Sequence, residues 1–584
     1  MPTSPPTLFR PTLSLAAPRA QGASWLWRVG VGVIIALMLL PLVTLVMLAL
    51  FGTGSGFGHI ARTVLPRATW QTMLVLAGVG VMSLVMGTAT AWLVTMHRFP
   101  LRGVIDRLLV LPLAIPTYIA AYTYVEMLDY GGPVQRGVRA LFGFASARDY
   151  WFPDVRSLGG AIFILSMVLY PYVYLAARAS FLQQSVCALE VARTLGRTQL
   201  GAFWSVALPL SRPALAAGTA LALMETLNDF GAMQYLGVET LTVAVYAAWL
   251  QRGAVGGAAQ MAIMALVLVL ALVAAERFGR RQQSFHETTG RVRPLPAERL
   301  TGWIRWAATA FCLAPVVLGF VLPTLVLLGH AFKNYEPLWT SAFWRAGWHS
   351  LLLAGVAAVV TLVVGIVLAY ARRTHRSHFI EAANTLIRVG YALPGTVLAV
   401  GLLLPIAGFD NAVDGVLRRT FGISSGLLLS GGIGIVVLAY VIRYLAAAIG
   451  TIEAGLGRLS PNLDAAARTL GETATSALTK VHLPLLKPTL GAAALLVFVD
   501  CLKELPATLL LRPFNFDTLA TTIYSAAALE QFESAALGAL AIVAVGLWPV
   551  LLLHRTMARG RVGQKKTWSR PRRVALPNSP EPLR

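Results

Sequence analysis

Four acidic residues hold matching positions in the two halves of this 584-residue chain. Glu225 and Asp229 recur in the second half as Asp500 and Glu504, and each pair closes a long apolar segment. An ionisable side chain there usually faces a cavity, a pore or a partner, because placing it in lipid is costly. Carboxylate oxygens suit hard cations, so two facing pairs would form an acidic ring that steers a cation. The alternative is a set of helix-end anchors satisfied by water, with Lys503 neutralising Glu504.

A short polar stretch also occurs twice, at the same offset as the acids. The first copy reads E-V-A-R-T-L-G from Glu190 to Gly196, and the second reads A-A-A-R-T-L-G from Ala465 to Gly471. A Leu-Pro pair follows each copy at the same distance along the chain, and the two prolines are Pro209 and Pro484. Duplication at a fixed spacing distinguishes these stretches from ordinary connecting loops.

Each stretch has the pattern of two short helices separated by a glycine. In the first copy, apolar residues recur every three to four positions over residues 183–195, which predicts a helix that ends at Gly196. A second short helix is expected over residues 200–207. Pro209 then suits the first turn of the next helix, where a missing N–H costs little. We therefore expect a pair of helices lying across one face of the protein.

The apolar content indicates an all-α integral membrane protein. Hydrophobic residues make up 57% of the chain and charged residues 12%, about half of the roughly 25% that is typical of a soluble domain. Apolar runs over residues 26–51 and 158–177 match the ~20 residues that a bilayer-spanning helix needs. We expect about twelve transmembrane helices, with the third near residues 104–127 and the fifth near residues 207–228.

The net charge of +23 follows the loops rather than a single surface patch. Roughly three quarters of the Lys and Arg residues fall in alternate loops on the side that holds both termini, which the positive-inside rule assigns to the cytoplasm. Both repeated polar stretches lie on that side. The basic character therefore indicates a lipid bilayer and gives no reason to expect nucleic acid as a partner.

The sequence divides into two homologous six-helix units around a basic segment near residue 290. Residues outside the polar stretches also recur between the units at a constant offset, namely Trp70 and Trp348, Pro116 and Pro394, and Tyr246 and Tyr524. We expect a parallel repeat, related by an axis along the membrane normal. The predicted boundaries are a disordered cytoplasmic tail over 1–24, a first unit over 25–280, a cytoplasmic linker over 281–300, a second unit over 301–556 and a basic cytoplasmic tail over 557–584.

The repeated stretches resemble the coupling motif of permease subunits of ATP-binding-cassette (ABC) importers, E-A-A-x-x-x-G followed by L-P. The motif falls on Glu190, Ala192, Gly196, Pro209, Ala466, Ala467, Gly471 and Pro484. Val191 replaces an alanine and Ala465 replaces the acidic residue, for which the preceding Asp464 is a substitute. In that family the helix docks on a separate nucleotide-binding subunit. The resemblance therefore implies that both loops couple the chain to ATP hydrolysis.

Within that family the chain is most similar to the fused two-domain ferric-iron permeases. The segments M-E-T-L-N-D-F-G at 224–231 and L-K-E-L-P-A-T at 502–508 carry this likeness. The resemblance implies a multi-pass protein of the bacterial inner membrane that receives iron from a periplasmic binding protein. It also implies two copies of an ATP-binding subunit on the cytoplasmic loops. Thiamine and oxyanions are the alternative cargoes within the class.

Other functional classes fit the sequence less well. No Gly-Lys dipeptide occurs, so no G-x-x-x-x-G-K-[ST] phosphate loop is present, and ATP and magnesium would belong to the partner subunit. We expect no cofactor, no firm metal site and no catalytic residue in this chain. A twelve-span secondary transporter would not need the duplicated polar stretch. A multispan membrane enzyme would need a cluster of catalytic His, Asp or Glu residues, whereas the histidines here are scattered.

Overall fold

The computed structural model describes residues 24–51, 57–184, 192, 194–281, 298–374, 387, 390, 393–460 and 462–559. The first half consists of α1 (Ser24–Phe51), α2 (Phe57–Met96), α3 (Arg102–Leu108), α4 (Thr117–Leu128), α5 (Pro133–Phe142), α6 (Leu158–Gln183), α7 (Gln199–Ala202), α8 (Leu208–Asn228), α9 (Gly231–Tyr235), α10 (Leu241–Tyr246) and α11 (Val255–Arg281). A 3₁₀ turn covers Leu111–Ala114, and π-helical turns cover Phe203–Ala207 and Ala247–Gln251.

The second half has the same plan. Its helices are α12 (Ile304–Val316), α13 (Leu322–Lys333), α14 (Ser341–Thr374), α15 (Gly395–Phe421), α16 (Gly434–Leu456), α17 (Asn462–Thr469), α18 (Ala474–Ala477), α19 (Leu483–Leu502), α20 (Pro506–Leu511), α21 (Leu519–Ala528) and α22 (Phe532–Arg559). A 3₁₀ turn covers Glu336–Trp339, and π-helical turns cover Val317–Val321 and Leu478–His482.

The number of membrane spans agrees with the sequence. Eleven helices of the described ranges are long and apolar enough to cross a membrane, and one bent pair brings the number to twelve. The prediction of an all-α membrane protein with about twelve spans is therefore confirmed. The third span, expected near 104–127, is not one helix, because Arg102–Ala114 and Thr117–Phe142 meet at 93°. Pro112 and Pro116 flank this bend, and each lacks the N–H that a continuous helix requires.

The same hydrogen bond, from a backbone N–H to a side-chain hydroxyl, occurs at equivalent positions in each half. The Thr72 hydroxyl accepts from the Leu241 N–H at 3.0 Å, and at the equivalent positions of the second half the Ser350 hydroxyl accepts from the Leu519 N–H at 2.7 Å. Both hydroxyls are buried. Each one satisfies a free N–H in the first turn of a short helix, α10 or α21, and fixes that helix against a long one.

The first helix of each half packs against the other half. α1 lies on α11 and α15, and a Cβ at Gly401 would lie 2.6 Å from the Pro41 carbonyl oxygen. The corresponding helices of the second half, α12 and α13, contact α3 and α4, and a Cβ at Gly319 would overlap the Met167 carbonyl oxygen. Glycine lets helix backbones approach closely in membranes. The two units are thus interlocked, and one buried apolar cluster contains residues of both.

A two-residue parallel ladder ties the linker to the first half. β1 (His97–Arg98) pairs with β2 (Glu298–Arg299), with His97 opposite Glu298. The Leu300 N–H also donates to the Arg98 carbonyl oxygen at 3.1 Å. The end of the predicted linker over 281–300 is therefore held against the turn that follows α2.

Candidate functional site

A cavity lies where the two halves meet, midway along two membrane helices. α6 contributes Val168, Leu169 and Tyr172 to its wall, and α16 contributes Arg443 and Tyr444. It contains about 760 Å³ of space not filled by protein atoms, part of it open to solvent. Because both helices cross the membrane, the cavity lies near the bilayer midplane, the usual depth of binding sites in proteins built from such repeats.

All four acids singled out from the sequence line this one cavity, namely Glu225, Asp229, Asp500 and Glu504. As expected, they lie at the ends of the fifth helices, α8 and α19. These ends lie near the midplane, and short helices continue the chain beyond them. Irregular backbone at membrane depth is tolerated where it is buried in protein or lines a cavity.

One acid from each half caps a short helix. Asp229 Oδ1 accepts from the Ala232 N–H at 3.0 Å, and Glu504 Oε1 accepts from the Ala507 N–H at 3.0 Å. Each bond satisfies a free N–H in the first turn of α9 or α20. The acids and their donors are related by the same offset, so the repeat preserves the contact as well as the residue type.

Glu504 is saturated by partners within the second half. Oε1 also accepts from Arg443 Nη1 at 2.9 Å, and Oε2 accepts from the Thr508 N–H at 3.1 Å and from its hydroxyl at 2.8 Å. The Arg443 and Glu504 side chains are only 9% and 1% exposed. Gly395 gives them room, since a Cβ there would lie 2.7 Å from both Arg443 Nη1 and Glu504 Oε1.

Asp229 is paired less completely. Its buried Oδ2 atom has no hydrogen-bond partner among the described residues. Two other buried oxygens of residues on the cavity wall also lack a hydrogen-bond partner among the described residues, namely Asn228 Oδ1 and the Tyr118 hydroxyl. Buried polar atoms in folded proteins are normally paired. These three oxygens therefore mark the side of the cavity that is available to a ligand.

The positive charges in the cavity are bound to acids. Lys503 Nζ contacts Asp500 Oδ1 at 2.9 Å, so the expected neutralisation of Glu504 by Lys503 is replaced by this pair. Residues three apart on one helix lie on the same face, whereas Glu504 turns toward α20. With Glu225 also on the wall, four acids face two bases. This balance favours a cation over an anion.

The cavity has no preformed cage of metal ligands. No group of three or more His, Cys, Asp or Glu side chains within the described ranges is placed to hold a metal ion. A cation passing through would meet separate carboxylates together with amide and phenol oxygens. Such a wall supports brief contact rather than tight storage, as conduction requires.

The repeated polar stretches end in the same helix-terminating motif. Gly196 and Gly471 both have a φ of +79°. The residue after each glycine donates its N–H to a motif alanine, Arg197 to Ala192 and Glu472 to Ala467, both at 3.0 Å. This bond with a left-handed glycine is the Schellman motif. Both bonded alanines are buried, Ala466 is exposed, and Glu190 lies outside the described residues.

The helix after each glycine runs directly into the membrane. Gln199–Asn228 is one continuous helix of 30 residues, and Thr475–Leu502 is its counterpart of 28. We expected a separate short helix before Pro209. A π-helical turn precedes Pro209 and Pro484 instead, and its wider turn accommodates the proline ring and the missing N–H. Each helix therefore joins a glycine loop at one end to the acidic cavity at the other.

Asp464, next to the second copy of the motif, faces its own chain. Its Oδ2 accepts from Arg373 Nη2 at 2.7 Å, and its Oδ1 bonds to His482 Nε2 at 2.7 Å. Burial favours the neutral acid, but the hydrogen bonds from Arg373 and His482 hold the pKa of Asp464 below its ordinary value. The contact fixes α17 to α14 and to the following π turn. The corresponding residues of the first half are Leu189, Thr95 and Ala207, which carry no ionisable group.

The sequence patterns did not identify three residues at these sites. Leu195 and Leu470 directly precede the motif glycines and are 77% and 83% exposed. Large exposed apolar side chains at equivalent places on two loops indicate a contact surface, and the shared T-L-G triplet carried that signal. Arg443 was missed because a comparison of the halves reveals only what they share.

Comparison with known proteins agrees with this geometry. A family model described as "Binding-protein-dependent transport system inner membrane component" matches residues 83–282. The Fe(3+)-transport system permease protein FbpB 2 of Haemophilus influenzae is 24% identical over 491 residues, which cover 83% of this chain and 89% of that protein.

Shorter relatives align with part of the chain. The molybdenum transport system permease protein ModB of Escherichia coli is 28% identical over its whole length, which covers 37% of this chain. The sulfate transport system permease protein CysT of Escherichia coli is 30% identical over 201 residues, or 34% of this chain and 69% of that protein. The chain therefore belongs to the family of binding-protein-dependent transport system inner membrane components, the permease subunits of ABC importers.

Proposed function

We propose that this permease carries ferric iron across the bacterial inner membrane. The observation that carries the proposal is the midplane cavity in which four acids face two bases. Ferric iron is a hard cation, and hard cations prefer oxygen ligands such as carboxylates. The Haemophilus influenzae relative, aligned over 89% of its length, is named an Fe(3+)-transport permease, which supports the same cargo.

The two repeated stretches are the proposed contacts with ATP-binding subunits. Each presents an exposed leucine, Leu195 or Leu470, beside a glycine-terminated helix end. The motif residues Glu190, Ala192, Ala466 and Ala467 belong to the same stretches. Two stretches imply two copies of the ATP-binding subunit, and those copies hold the ATP and magnesium.

The continuous helices would transmit movement of these loops to the cavity. A helix of 30 residues is about 45 Å long at 1.5 Å per residue and moves as a rod. When the two ATP-binding subunits close, the loops approach each other and the rods tilt. Their far ends carry Glu225 and Asp500, so the spacing of the acids in the cavity changes with each ATP cycle.

We infer that both termini and both coupling stretches lie in the cytoplasm. The positive-inside rule supports this orientation because most Lys and Arg residues lie in that set of loops. The opposite face then receives a periplasmic binding protein that delivers the ion.

An oxyanion is the second candidate cargo. The sulfate and molybdenum relatives favour it, and the cavity does contain Arg443 and Lys503. Both bases are already bound to acids, to Glu504 and Asp500. An anion would have to displace these carboxylates and leave them unpaired in a buried site, which is costly.

Uptake of radiolabelled ferric iron tests the proposal. Cells with and without this gene are compared before and after ATP depletion, with sulfate and molybdate uptake measured in parallel. An ATP-dependent iron component that is lost on deletion supports ferric iron. Unchanged iron uptake together with lost oxyanion uptake, in cells shown to make the protein, contradicts it.

A further inference from the structure

We propose that the cation binds to one side of the cavity only. Asp229, Asn228 and Tyr118 of the first half form a subsite for a hard trivalent cation, whereas Glu504 of the second half is permanently neutralised by Arg443. This inference rests on the proposed function, because it deepens the role of the same cavity.

The two sides begin as copies of each other. Asp229 and Glu504 each cap a short helix through a bond of 3.0 Å to an N–H three residues ahead. If the acids on both sides were equivalent, a cation would bind midway between the two halves. The structure departs from that symmetry around Glu504, which also accepts from Arg443 and from the hydroxyl of Thr508, whose counterpart in the first half is Met233.

The second side has no acceptor capacity left for a cation. Glu504 accepts from the Ala507 N–H, the Arg443 guanidinium, and both the N–H and the hydroxyl of Thr508. A carboxylate offers about four lone-pair sites, and four donors fill them. The fixed positive charge of Arg443 also repels a cation from this side. The ion pair thus occupies the place that a second ligand group would take.

The first side has three buried oxygens that lack a hydrogen-bond partner among the described residues. Asp229, Asn228 and Tyr118 are 8%, 5% and 4% exposed, and Asp229 Oδ2, Asn228 Oδ1 and the Tyr118 hydroxyl have no hydrogen-bond partner in the part of the chain that is described. All three residues line the cavity. Tyr118 packs against the same short helix, since a Cβ at Gly231 would lie 2.9 Å from the Tyr118 Cβ.

The chemistry of these atoms selects the ligand class. A carboxylate, an amide carbonyl and a phenol are all oxygen donors, the type that hard cations prefer over nitrogen or sulfur. One carboxylate with two weaker donors forms an incomplete shell. Such a site is strong enough to attract an ion and weak enough to release it, as translocation requires.

Terbium luminescence provides a direct test on the purified full-length permease. Tb³⁺ is a hard trivalent cation whose emission is sensitised by nearby tyrosines, and Tyr118, Tyr172 and Tyr444 line the cavity. The wild type should show saturable sensitised emission that Ga³⁺ displaces. Asp229→Asn should weaken this Tb³⁺ binding by roughly tenfold or more, the scale of losing a group at a metal site.

Two further variants separate the sides. The paired replacement Arg443→Gln with Glu504→Gln removes both charges of the second side while keeping polar side chains there, and Tb³⁺ affinity should stay within about twofold of wild type, well below the effect of losing a ligand. Glu336→Gln, at an exposed acid, corrects for surface binding. Equal losses in Asp229→Asn and in the paired variant would overturn the one-sided subsite, as would unchanged binding in Asp229→Asn.

The outcome is distinguishable from failure of the iron proposal. If Tb³⁺ binding depends on Asp229 but cells show no ATP-dependent iron uptake, the subsite stands and the cargo is a different cation. If iron uptake is established while Asp229→Asn binds Tb³⁺ and transports iron like the wild type, the cargo stands and the subsite is wrong.

Discussion

Gly196 and Gly471 hold equivalent positions in the two halves and share the same backbone φ of +79°. Each ends a helix through the same N–H to carbonyl bond, and each is followed by a continuous helix, beginning at Gln199 or Thr475, that reaches the acidic cavity. The space around both positions is open, because a Cβ would meet no atom within 4 Å. Backbone conformation rather than packing within this chain therefore requires glycine here.

Replacing Gly471 should disturb coupling in proportion to backbone strain. Ala in a left-handed conformation costs ~1–2 kcal/mol, whereas Asn tolerates it better, and a β-branched residue tolerates it least. ATP-dependent uptake should thus fall in the order Asn, Ala, Val at position 471, with membrane levels unchanged.

Gly491→Ala is the matched control for this series. Gly491 lies in α19, also with open space around its Cβ position and without a positive φ. Uptake by this variant should equal wild type. If Gly491→Ala and Gly471→Ala reduce uptake equally, backbone strain at the loop is not the cause.

Leu195 and Leu470 should be required for binding the ATP-binding subunit. Both are largely exposed beside the motif glycines, and fully burying a leucine side chain in an interface contributes about 1.5–3 kcal/mol. Leu195→Ala with Leu470→Ala should lower the amount of ATP-binding subunit that copurifies with the permease. Leu427→Ala, at an exposed leucine outside both loops, should leave copurification unchanged.

The sequence determined most of the architecture because its signals are local. Runs of about 20 apolar residues identify spans without knowledge of their neighbours, and fixed offsets reveal the repeat. The bend of 93° between Ala114 and Thr117 was missed, because a proline inside an apolar run is also compatible with a continuous helix. The packing of each half's first helix against the other half was missed as well, since it depends on contacts between distant segments such as Pro41 and Gly401.

The sequence predicted only some of the residues of the candidate site. The constant offset between the halves identified the four acids, and it did so because the halves share them. Arg443 and the unpaired oxygen of Asn228 have no repeated pattern, so nothing in the sequence connected them to the acids. The depth of the acids was not apparent either, because hydropathy does not show that α8 and α19 end midway across the membrane.

Close contact between α1 and α15 should depend on Gly401. A Cβ at this position would lie 2.6 Å from the Pro41 carbonyl oxygen, a distance that forces the helices apart. Gly401→Ala should destabilise the protein by about 1–3 kcal/mol, the usual cost of overpacking. Thermal unfolding in detergent measures this.

Gly408→Ala on the same helix tests whether packing is responsible. No atom lies within 4 Å of its Cβ position, so the unfolding temperature should not fall. A decrease equal to that of Gly401→Ala would mean that the contact with Pro41 does not set the effect, because the higher helix propensity of Ala can only oppose a decrease.

The Asp464 contact should make stability depend on pH in one direction. Its folded pKa is lowered by Arg373 and His482, so its stabilisation is present above the unfolded pKa of about 3.9 and is lost as pH falls through the folded value. Asp464→Asn should lower stability by roughly 1 kcal/mol at neutral pH. The difference from wild type should shrink below pH ~4, and a difference independent of pH would contradict the ionic contact. Glu472→Gln, at a single ion pair whose Lys480 is 66% exposed, should lower stability less than Asp464→Asn does.

Arg443 should be needed for stability only while Glu504 carries a charge. Arg443→Met leaves the carboxylate, 1% exposed, without its counterion, and breaking a buried pair in this way typically costs about 3–5 kcal/mol. Changing Glu504→Gln in the same protein removes the uncompensated charge and keeps one oxygen that can accept from the Ala507 N–H, while the amide NH2 can donate to the Thr508 hydroxyl. Thermal unfolding should therefore show the single Arg443→Met variant to be less stable than the double variant. The reverse order would mean that Arg443 acts through packing of its aliphatic stem rather than through its charge.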